Sequence, residues 1–392
     1  MTPSARVQAA IEILDLVIAA ARAQGAPADR IIADWFRTRR FAGSGDRRAV
    51  RELVYGAIRA SGEVPANGRA AMLRLAADDA QLAALFDGSN HAPAPIAADE
   101  TPATAGIAPR WLETALERSG IAGDEAAALL GRAPLDIRVN TLKATRETLE
   151  LPIAGKETIA PNGLRFPSGT QVEAWPAYAE GQIEVQDSGS QLACLALAAR
   201  PGEAVVDLCA GAGGKTLALA AMMDNRGALL ACDTDRGRLA RLDPRAERAG
   251  VAIIETLLLD PGRENVALAR WQAGADAVLV DAPCSGTGTW RRNPEGRWRL
   301  NEKELARLVA LQARLLDIAA ALVRPGGRLV YVVCSLLDGE GAGQIDAFLA
   351  RHAGWRAVPV ELPAGTARCA GMRLTPYRDG TDGFFFARLE KP

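Results

Sequence analysis

The chain has 392 residues, of which 49% are hydrophobic and 24% charged, the balance of an ordinary globular protein. That length exceeds one ordinary core, so about two or three domains are expected. A net charge of -1 excludes a global basic field, and any nucleic-acid site must be a local patch. The cysteines are Cys194, Cys209, Cys232, Cys284, Cys334 and Cys369, with no CxxC pair. Neither a metal site nor a dense disulfide framework is expected from them, and the protein reads as cytoplasmic with reduced thiols. No apolar run is long enough to span a membrane. The apolar stretch around Ile11, Leu14 and Ile18 is interrupted by Glu12 and Asp15, so it reads as an amphipathic helix and not as a targeting segment. His91 and His352 have no evident partners, which argues against Ser-His-Asp hydrolysis.

Residues 1–87 show helical periodicity throughout, in Val7–Ile18, Ile31–Phe36, Val50–Ile58, Met72–Leu75 and Leu82–Leu85. This predicts a small helical bundle, with Ser44 or Asp46 capping the third helix. The middle of the bundle is basic: Arg37, Arg39, Arg40, Arg47, Arg48 and Arg51 outnumber nearby acids. Such a run is either a solvated face or an RNA-facing patch. Residues 88–107, rich in Ala, Pro, Ser, Thr and Asp, read as a linker. Residues 108–180 read as a small α+β region, with a helix pair from Trp111 to Leu130 and a β-like stretch Ile137–Lys143.

Residues 181–392 alternate strands and helices. Strands are predicted at Ala204–Leu208, Ala228–Cys232, Ala252–Thr256, Ala277–Val280, Arg328–Val333 and Phe384–Leu389. Helices are predicted at Ser190–Ala199, Thr216–Met223, Arg236–Ala249, Glu302–Leu322 and Gly343–Arg351. Strand–helix alternation at this spacing predicts a mostly parallel, doubly wound α/β sheet.

Two predicted strands end in cysteine. Cys284 follows Val278-Leu279-Val280-Asp281-Ala282-Pro283, and Cys334 follows Leu329-Val330-Tyr331-Val332-Val333. The carboxyl ends of such strands are where open α/β sheets bind ligands. A lone strand-end cysteine is usually a small buried hydrophobe. Two of them, flanked by Asp281, Ser285 and Ser335, suggest a thiol nucleophile and a thiol helper.

A third strand leads into a glycine-rich turn, Cys209-Ala210-Gly211-Ala212-Gly213-Gly214-Lys215. Three readings compete. A Walker phosphate loop needs glycine where Cys209 stands, and a GxGxxG fingerprint needs glycine where Thr216 stands. The third reading is a nucleoside-binding turn whose backbone approaches a ligand closely. Asp233 and Asp260 end the next two strands, where a carboxylate can bond ribose hydroxyls or an adenine amino group, or simply cap a helix. Together these residues favour an adenosine-containing cofactor. The segment Trp290-Arg291-Arg292-Asn293-Pro294-Glu295-Gly296-Arg297-Trp298-Arg299 interleaves aromatics with arginines. Either it contacts RNA through Arg291, Arg292 and Arg297, or it is a loop whose tryptophans pack on the sheet.

These motifs resemble the RsmB-like (Sun family) RNA cytosine-C5 methyltransferases. Asp207–Thr216 is similar to the family's DLCAAPGGKT. Asp281–Gly288 with Arg291–Pro294 resembles DAPCSGxG…RRxP, and Tyr331–Ser335 resembles YxTCS. Arg138–Lys143, Val185–Gln191 and Asp382–Phe385 support the match. Asp46-Arg47-Arg48 and Glu52–Gly56 resemble the NusB-like domain at the front of bacterial members. Ala212 stands where the family usually has proline, and Val333 replaces a common threonine. The resemblance implies a Rossmann-like class I methyltransferase domain behind a NusB-like RNA-binding domain. It implies S-adenosylmethionine at 209–215 with Asp233, Asp260 and Asp281, and a monomer acting on RNA, small-subunit ribosomal RNA above all. It also implies Cys334 as the nucleophile, Cys284 assisting adduct release, and RNA contacts that include Arg47 and Arg48. The readings from other classes are a non-catalytic RNA-binding assembly factor, which the two cysteine motifs argue against, and a P-loop nucleotidase, which the missing glycine argues against.

Overall fold

In a computed structural model describing residues 1–392, the chain forms two compact units. One comprises Met1–Gly131 and Thr289–Asn301, and the other Arg132–Gly288 and Glu302–Pro392.

The first unit is helical, led by α1 (Pro3–Arg22), α2 (Ala28–Arg37), α3 (Ser44–Ala60) and α4 (Gly68–Ala76). Val7, Leu14 and Val17 of α1 lie one above another on the face that meets Val50, Val54 and Ile58 of α3 and Met72 of α4. Neither Ser44 nor Asp46 is the N-cap of α3; Gly43 holds that place, and Asp46, at the third helical position, reaches back to it. Its carboxylate accepts from the Gly43 N–H at 3.3 Å, and it also binds the Met1 amino group at 3.2 Å and Arg6 Nε at 2.9 Å. Residues 88–107 hold no helix or strand, yet they are strapped to this unit rather than free. The Ala103 N–H donates to Ala70 O at 2.9 Å, the Gly62 N–H to Thr104 O at 2.9 Å, and Arg69 Nη2 to Glu100 Oε2 at 2.8 Å. The helices Arg110–Arg118 and Gly123–Ala127, read from the sequence as part of an α+β region, belong to this helical unit.

The second unit opens with a four-stranded antiparallel sheet: β1 (Leu135–Val139), β2 (Lys156–Glu157), β3 (Gly163–Phe166) and β4 (Ile183–Val185), ordered β2-β3-β1-β4. The Arg138–Lys143 motif anchors it. Asn140 Nδ2 donates to Gly181 O and Ala249 O, both at 2.9 Å, and Lys143 Nζ to Arg248 O at 2.7 Å. Lys143 thereby places its charge at the carboxyl end of the helix Leu242–Ala249, where the helix dipole favours a cation.

The main sheet contains β5 (Ala204–Asp207), β6 (Ala228–Asp233), β7 (Ile254–Leu258), β8 (Ala275–Asp281), β9 (Val323–Val333), β10 (Arg356–Val358), β11 (Thr366–Arg368), β12 (Gly371–Leu374) and β13 (Phe384–Glu390). Its order is β11-β12-β13-β9-β8-β5-β6-β7, with β10 also pairing β13. The five strands β5 to β9 are parallel to one another, and β13 runs antiparallel to β9. Both faces are covered by helices, which is why these strands read as unbroken apolar runs.

Two elements differ from expectation. The helix predicted over Arg236–Ala249 is two, Arg236–Leu239 and Leu242–Ala249. Pro244 sits in the first turn of the second, where its missing N–H costs nothing. Strand β9 begins at Val323, earlier than predicted, because pairing with β8 continues on both sides of an irregularity between Ala275 and Ala277.

Candidate active site

The chain fills β5, β6 and β7 on one side of the sheet, then returns to place β8 and β9 on the other. That reversal opens a crevice at the carboxyl ends, between β5 and β8. Every predicted site residue of the main sheet lies at this end. Cys209–Lys215 follows β5, Asp233 ends β6, Asp260 follows β7, Asp281 ends β8, Cys284 follows it, and Cys334 follows β9.

The two cysteines meet: Cys284 Sγ and Cys334 Sγ are 3.3 Å apart and both are partly buried. The hydrogen bond with Cys334, then burial, pushes the Cys284 thiol well above its ordinary value. At this distance one thiol can donate to the other sulfur. Two glycines make the close packing of this loop possible. The Gly383 N–H donates to Gly288 O at 2.8 Å, and the Gly288 N–H donates to Cys334 O at 3.0 Å. A side-chain carbon on either glycine would come within 3 Å of the other's backbone.

Lys215 Nζ lies 2.6 Å from Asp281 Oδ2. Burial disfavours the ammonium, but the Asp281 carboxylate outweighs it and holds the Lys215 pKa above its ordinary value. Cys334 contributes to that rise, so this lysine lies within electrostatic reach of Cys334. The Phe384 ring centroid is 5.8 Å from Lys215 Nζ.

The glycine-rich turn is fixed by a strand-end carboxylate. Asp233 accepts from the Gly211 N–H at 2.7 Å and the Asp235 N–H at 2.7 Å, which holds the turn against the end of β6. Asp207 is fully buried, with Oδ2 bonded to the Thr216 hydroxyl at 2.7 Å and Oδ1 lacking a partner. Asp207, Asp233 and Asp281 put three carboxylates around the turn, and Asp260 stands exposed after β7. Ala212, which lacks the stiffness of proline, is restrained from outside. Arg245 donates to Ala212 O, and its other nitrogen pairs with the buried Glu184 carboxylate at 2.8 Å.

The segment 289–301 corrects the sequence reading. Arg297 is 0% exposed and spends its guanidinium on Ile58 O at 2.6 Å, Ser61 O at 2.9 Å and Pro294 O at 2.7 Å. Trp298 joins the helical core and donates to Ser61 O at 3.2 Å, and Trp290 is 1% exposed. Both tryptophans are too buried to offer a face to a base, and both belong to the helical unit. Arg291 is also buried, Arg292 is half-buried, and Arg47 and Arg48 are exposed. Arg47 Nε donates to Ala42 O at 3.0 Å, and the nearby Phe41 is 73% exposed.

Sequence reasoning missed Glu340. Its buried carboxylate accepts from the Ser285 N–H at 2.8 Å, the Ser335 hydroxyl at 2.5 Å, Gln312 Nε2 at 2.9 Å and the Ser285 hydroxyl. Standing five residues beyond Ser335 in a loop, it carried no spacing signal.

A switch-point crevice with a glycine turn, strand-end carboxylates and a thiol pair defines a Rossmann-like class I methyltransferase domain. More narrowly, the chain belongs to the RsmB/F family: a family model described as 16S rRNA methyltransferase RsmB/F matches residues 194–390. The probable ribosomal RNA small subunit methyltransferase B of Synechocystis sp. is 37% identical over 302 residues, covering 72% of this chain and 66% of that protein. Ribosomal RNA small subunit methyltransferase B of Pseudomonas syringae pv. tomato is 36% identical over 298 residues, covering 72% of this chain and 65% of that protein. The chain thus spans about two thirds of the length of these curated relatives. The crystal structure of PH0851 covers 100% of this chain and 99% of its own, with a TM-score of 0.78 and 29% identity. That of NSun6 from Pyrococcus horikoshii with SFG covers 72% of this chain and 98% of its own at TM-score 0.61, and its 20% identity speaks to the fold. No helix is long and apolar enough to cross a membrane.

Proposed function

We propose that this chain transfers a methyl group from S-adenosylmethionine to carbon 5 of a cytosine in RNA, with small-subunit ribosomal RNA as the target, through a covalent cysteine adduct. The 3.3 Å pairing of Cys284 and Cys334 beside the glycine turn carries the reading. The residues present fit the cofactor. Backbone N–H groups of Cys209–Lys215 can approach it, Asp233 and Asp260 suit ribose and adenine, and the Asp281 carboxylate suits a cationic amino acid portion. When bound, it supplies an electrophilic methyl group.

Carbon 5 of cytosine is too weak a nucleophile to take that methyl group unaided. The Cys334 thiolate adds to carbon 6, making carbon 5 an enamine carbon. The resemblance of Tyr331–Ser335 to the family's YxTCS strand end favours Cys334 as the attacking sulfur, with Cys284 beside it as the partner thiol. Bond formation to carbon 6 consumes the negative charge on Cys334 and ends the hydrogen bond between the sulfurs. Both were raising the Cys284 pKa, so adduct formation frees Cys284 to release its proton and assist breakdown of the adduct. As Cys334 attacks, N3 of the ring gains the electron pair and takes the proton of Cys284. Once carbon 5 carries the methyl group, the Cys284 thiolate takes the carbon 5 proton. The bond between carbon 6 and sulfur then breaks to return Cys334 as a thiolate, and N3 gives up its proton to restore the aromatic ring. Asp281, held by Lys215, can present its free oxygen to the cytosine edge. RNA contacts are proposed at Arg47, Arg48 and Arg292; Arg291 and Arg297 are too buried to take part.

Two variants test the reading. Cys334→Ala should abolish methylation while calorimetry still detects cofactor binding, and full activity in that variant would refute the nucleophile assignment. Cys284→Ala should accumulate an RNA–protein adduct, seen as a shifted band on a denaturing gel. Bisulfite mapping of RNA from a strain lacking the protein would identify the target cytosine.

A further inference from the structure

Glu340 reaches both halves of the thiol pair without touching either sulfur. On the Cys284 side, its carboxylate accepts from the main-chain N–H and the hydroxyl of Ser285, the next residue. On the Cys334 side, it accepts from the hydroxyl of Ser335, again the next residue. Gln312 Nε2 supplies a further donor at 2.9 Å and also donates to Pro283 O at 2.9 Å, bracing the Cys284 loop from the helix Glu302–Leu322. Every neighbour of the carboxylate is thus a donor, as an acceptor-only group requires.

The backbone of Glu340 is held as firmly. Tyr331, buried within β9, donates its hydroxyl to Glu340 O at 2.7 Å. The next residue, Gly341, lies against the Phe385 ring, where an added side-chain carbon would come within 2.8 Å of it. The loop can therefore sit close enough for Glu340 to face both serines. Ser335 and Ser285 hydroxyls are 3.2 Å apart, and the Thr287 hydroxyl reaches Ser335 at 3.1 Å, so the clamp is a closed cluster.

We propose that Glu340 is a positioning residue for this reaction: by gripping Ser285 and Ser335 together, it sets the separation of the Cys284 and Cys334 sulfurs. The proposal rests on the reading of these cysteines as the reactive pair. Buried and fully hydrogen-bonded, the clamp holds the two loops in one register before substrate arrives. Its charge also acts on the thiols, since Glu340 contributes to the raised Cys284 value. The other titratable groups around the pair are Lys215, Asp281, Tyr331 and Cys209.

The test is Glu340→Gln, which keeps the shape but removes the charge and one acceptor oxygen. Misplacing the sulfurs should lower kcat by about 10- to 100-fold, with KM for RNA changed by less than about twofold. In the protein without RNA, the pH midpoint of thiol alkylation by iodoacetamide should move down, because a negative charge beside the thiols has gone. A purely structural role would leave that midpoint in place and lower kcat only in step with the folded fraction; either result overturns the proposal. If Glu340→Gln does not fold, the double variant Ser285→Ala and Ser335→Ala keeps the carboxylate on Gln312 and the Ser285 N–H. It should lower kcat in the same way, and unchanged kcat there also overturns the proposal. Alkylation reads the thiols without methylation, so its result stands apart from whether Cys334→Ala is inactive.

Discussion

Asp207 offers a quantitative check of the electrostatics under the glycine turn. It is 0% exposed, one oxygen is bonded to Thr216 and the other has no partner. Burial pushes its carboxyl from an ordinary 3.8 up to about 7, the Thr216 hydroxyl works against this, and the charge of Asp281 adds to it. A folded value above the unfolded one means that the folded state binds the proton more tightly. The associated stability is fully present below about pH 4 and is lost as pH rises through about 7. About three pKa units at roughly 1.4 kcal/mol each give a swing of about 4 kcal/mol. Asp207→Asn keeps the shape and never ionises. Its amide costs about 1–3 kcal/mol for an unpaired donor, a cost independent of pH. Urea unfolding of the cofactor-free chain at intervals from about pH 4.5 to about 8.5 should therefore show the variant gaining on the parent as pH rises, by several kcal/mol in total. A difference between the two proteins that stays constant across this range would refute the argument.

Two further predictions separate structural arginines from those proposed to contact RNA. Arg297→Met should lower the stability of the helical unit by roughly 2–4 kcal/mol, because Ile58, Ser61 and Pro294 carbonyls lose a charged donor. RNA affinity of the folded variant, measured by fluorescence anisotropy, should keep its salt dependence; a shallower slope would mean that Arg297 touches phosphate after all. Arg47→Ala with Arg48→Ala should leave thermal stability nearly unchanged. On single-stranded RNA it should reduce the slope of log affinity against log salt by about 0.7 for each phosphate no longer neutralised. An unchanged slope would remove the basic stretch of α3 from the RNA surface.

Much of the site was legible because it is carried by local signals. Apolar runs ending in Asp281, Cys284 and Cys334 mark buried parallel strands, and strand–helix alternation forces their carboxyl ends to one edge. The turn at Cys209–Lys215 announces itself through three glycines. The class of fold, and the gathering of these residues at one edge of the sheet, were therefore readable from order and spacing. The β-strands Arg356–Val358, Thr366–Arg368 and Gly371–Leu374 were not, because they are short edge strands with no sustained alternation.

Position in space was decided by tertiary packing. The sequence by itself could name Cys284 and Cys334, but their 3.3 Å meeting depends on β8 and β9 being neighbours and on the Glu340 clamp, contributed from beyond both motifs. Arg297 shows the converse. A tryptophan–arginine run looks the same whether it faces RNA or a core. Only the presence of the Ile58 and Ser61 carbonyls around the guanidinium, more than two hundred residues away in sequence, turned it inward. Local pattern reports what a residue can do; long-range neighbours determine what it is left to do, because burial and hydrogen-bond partners come from chain segments that no window of sequence contains.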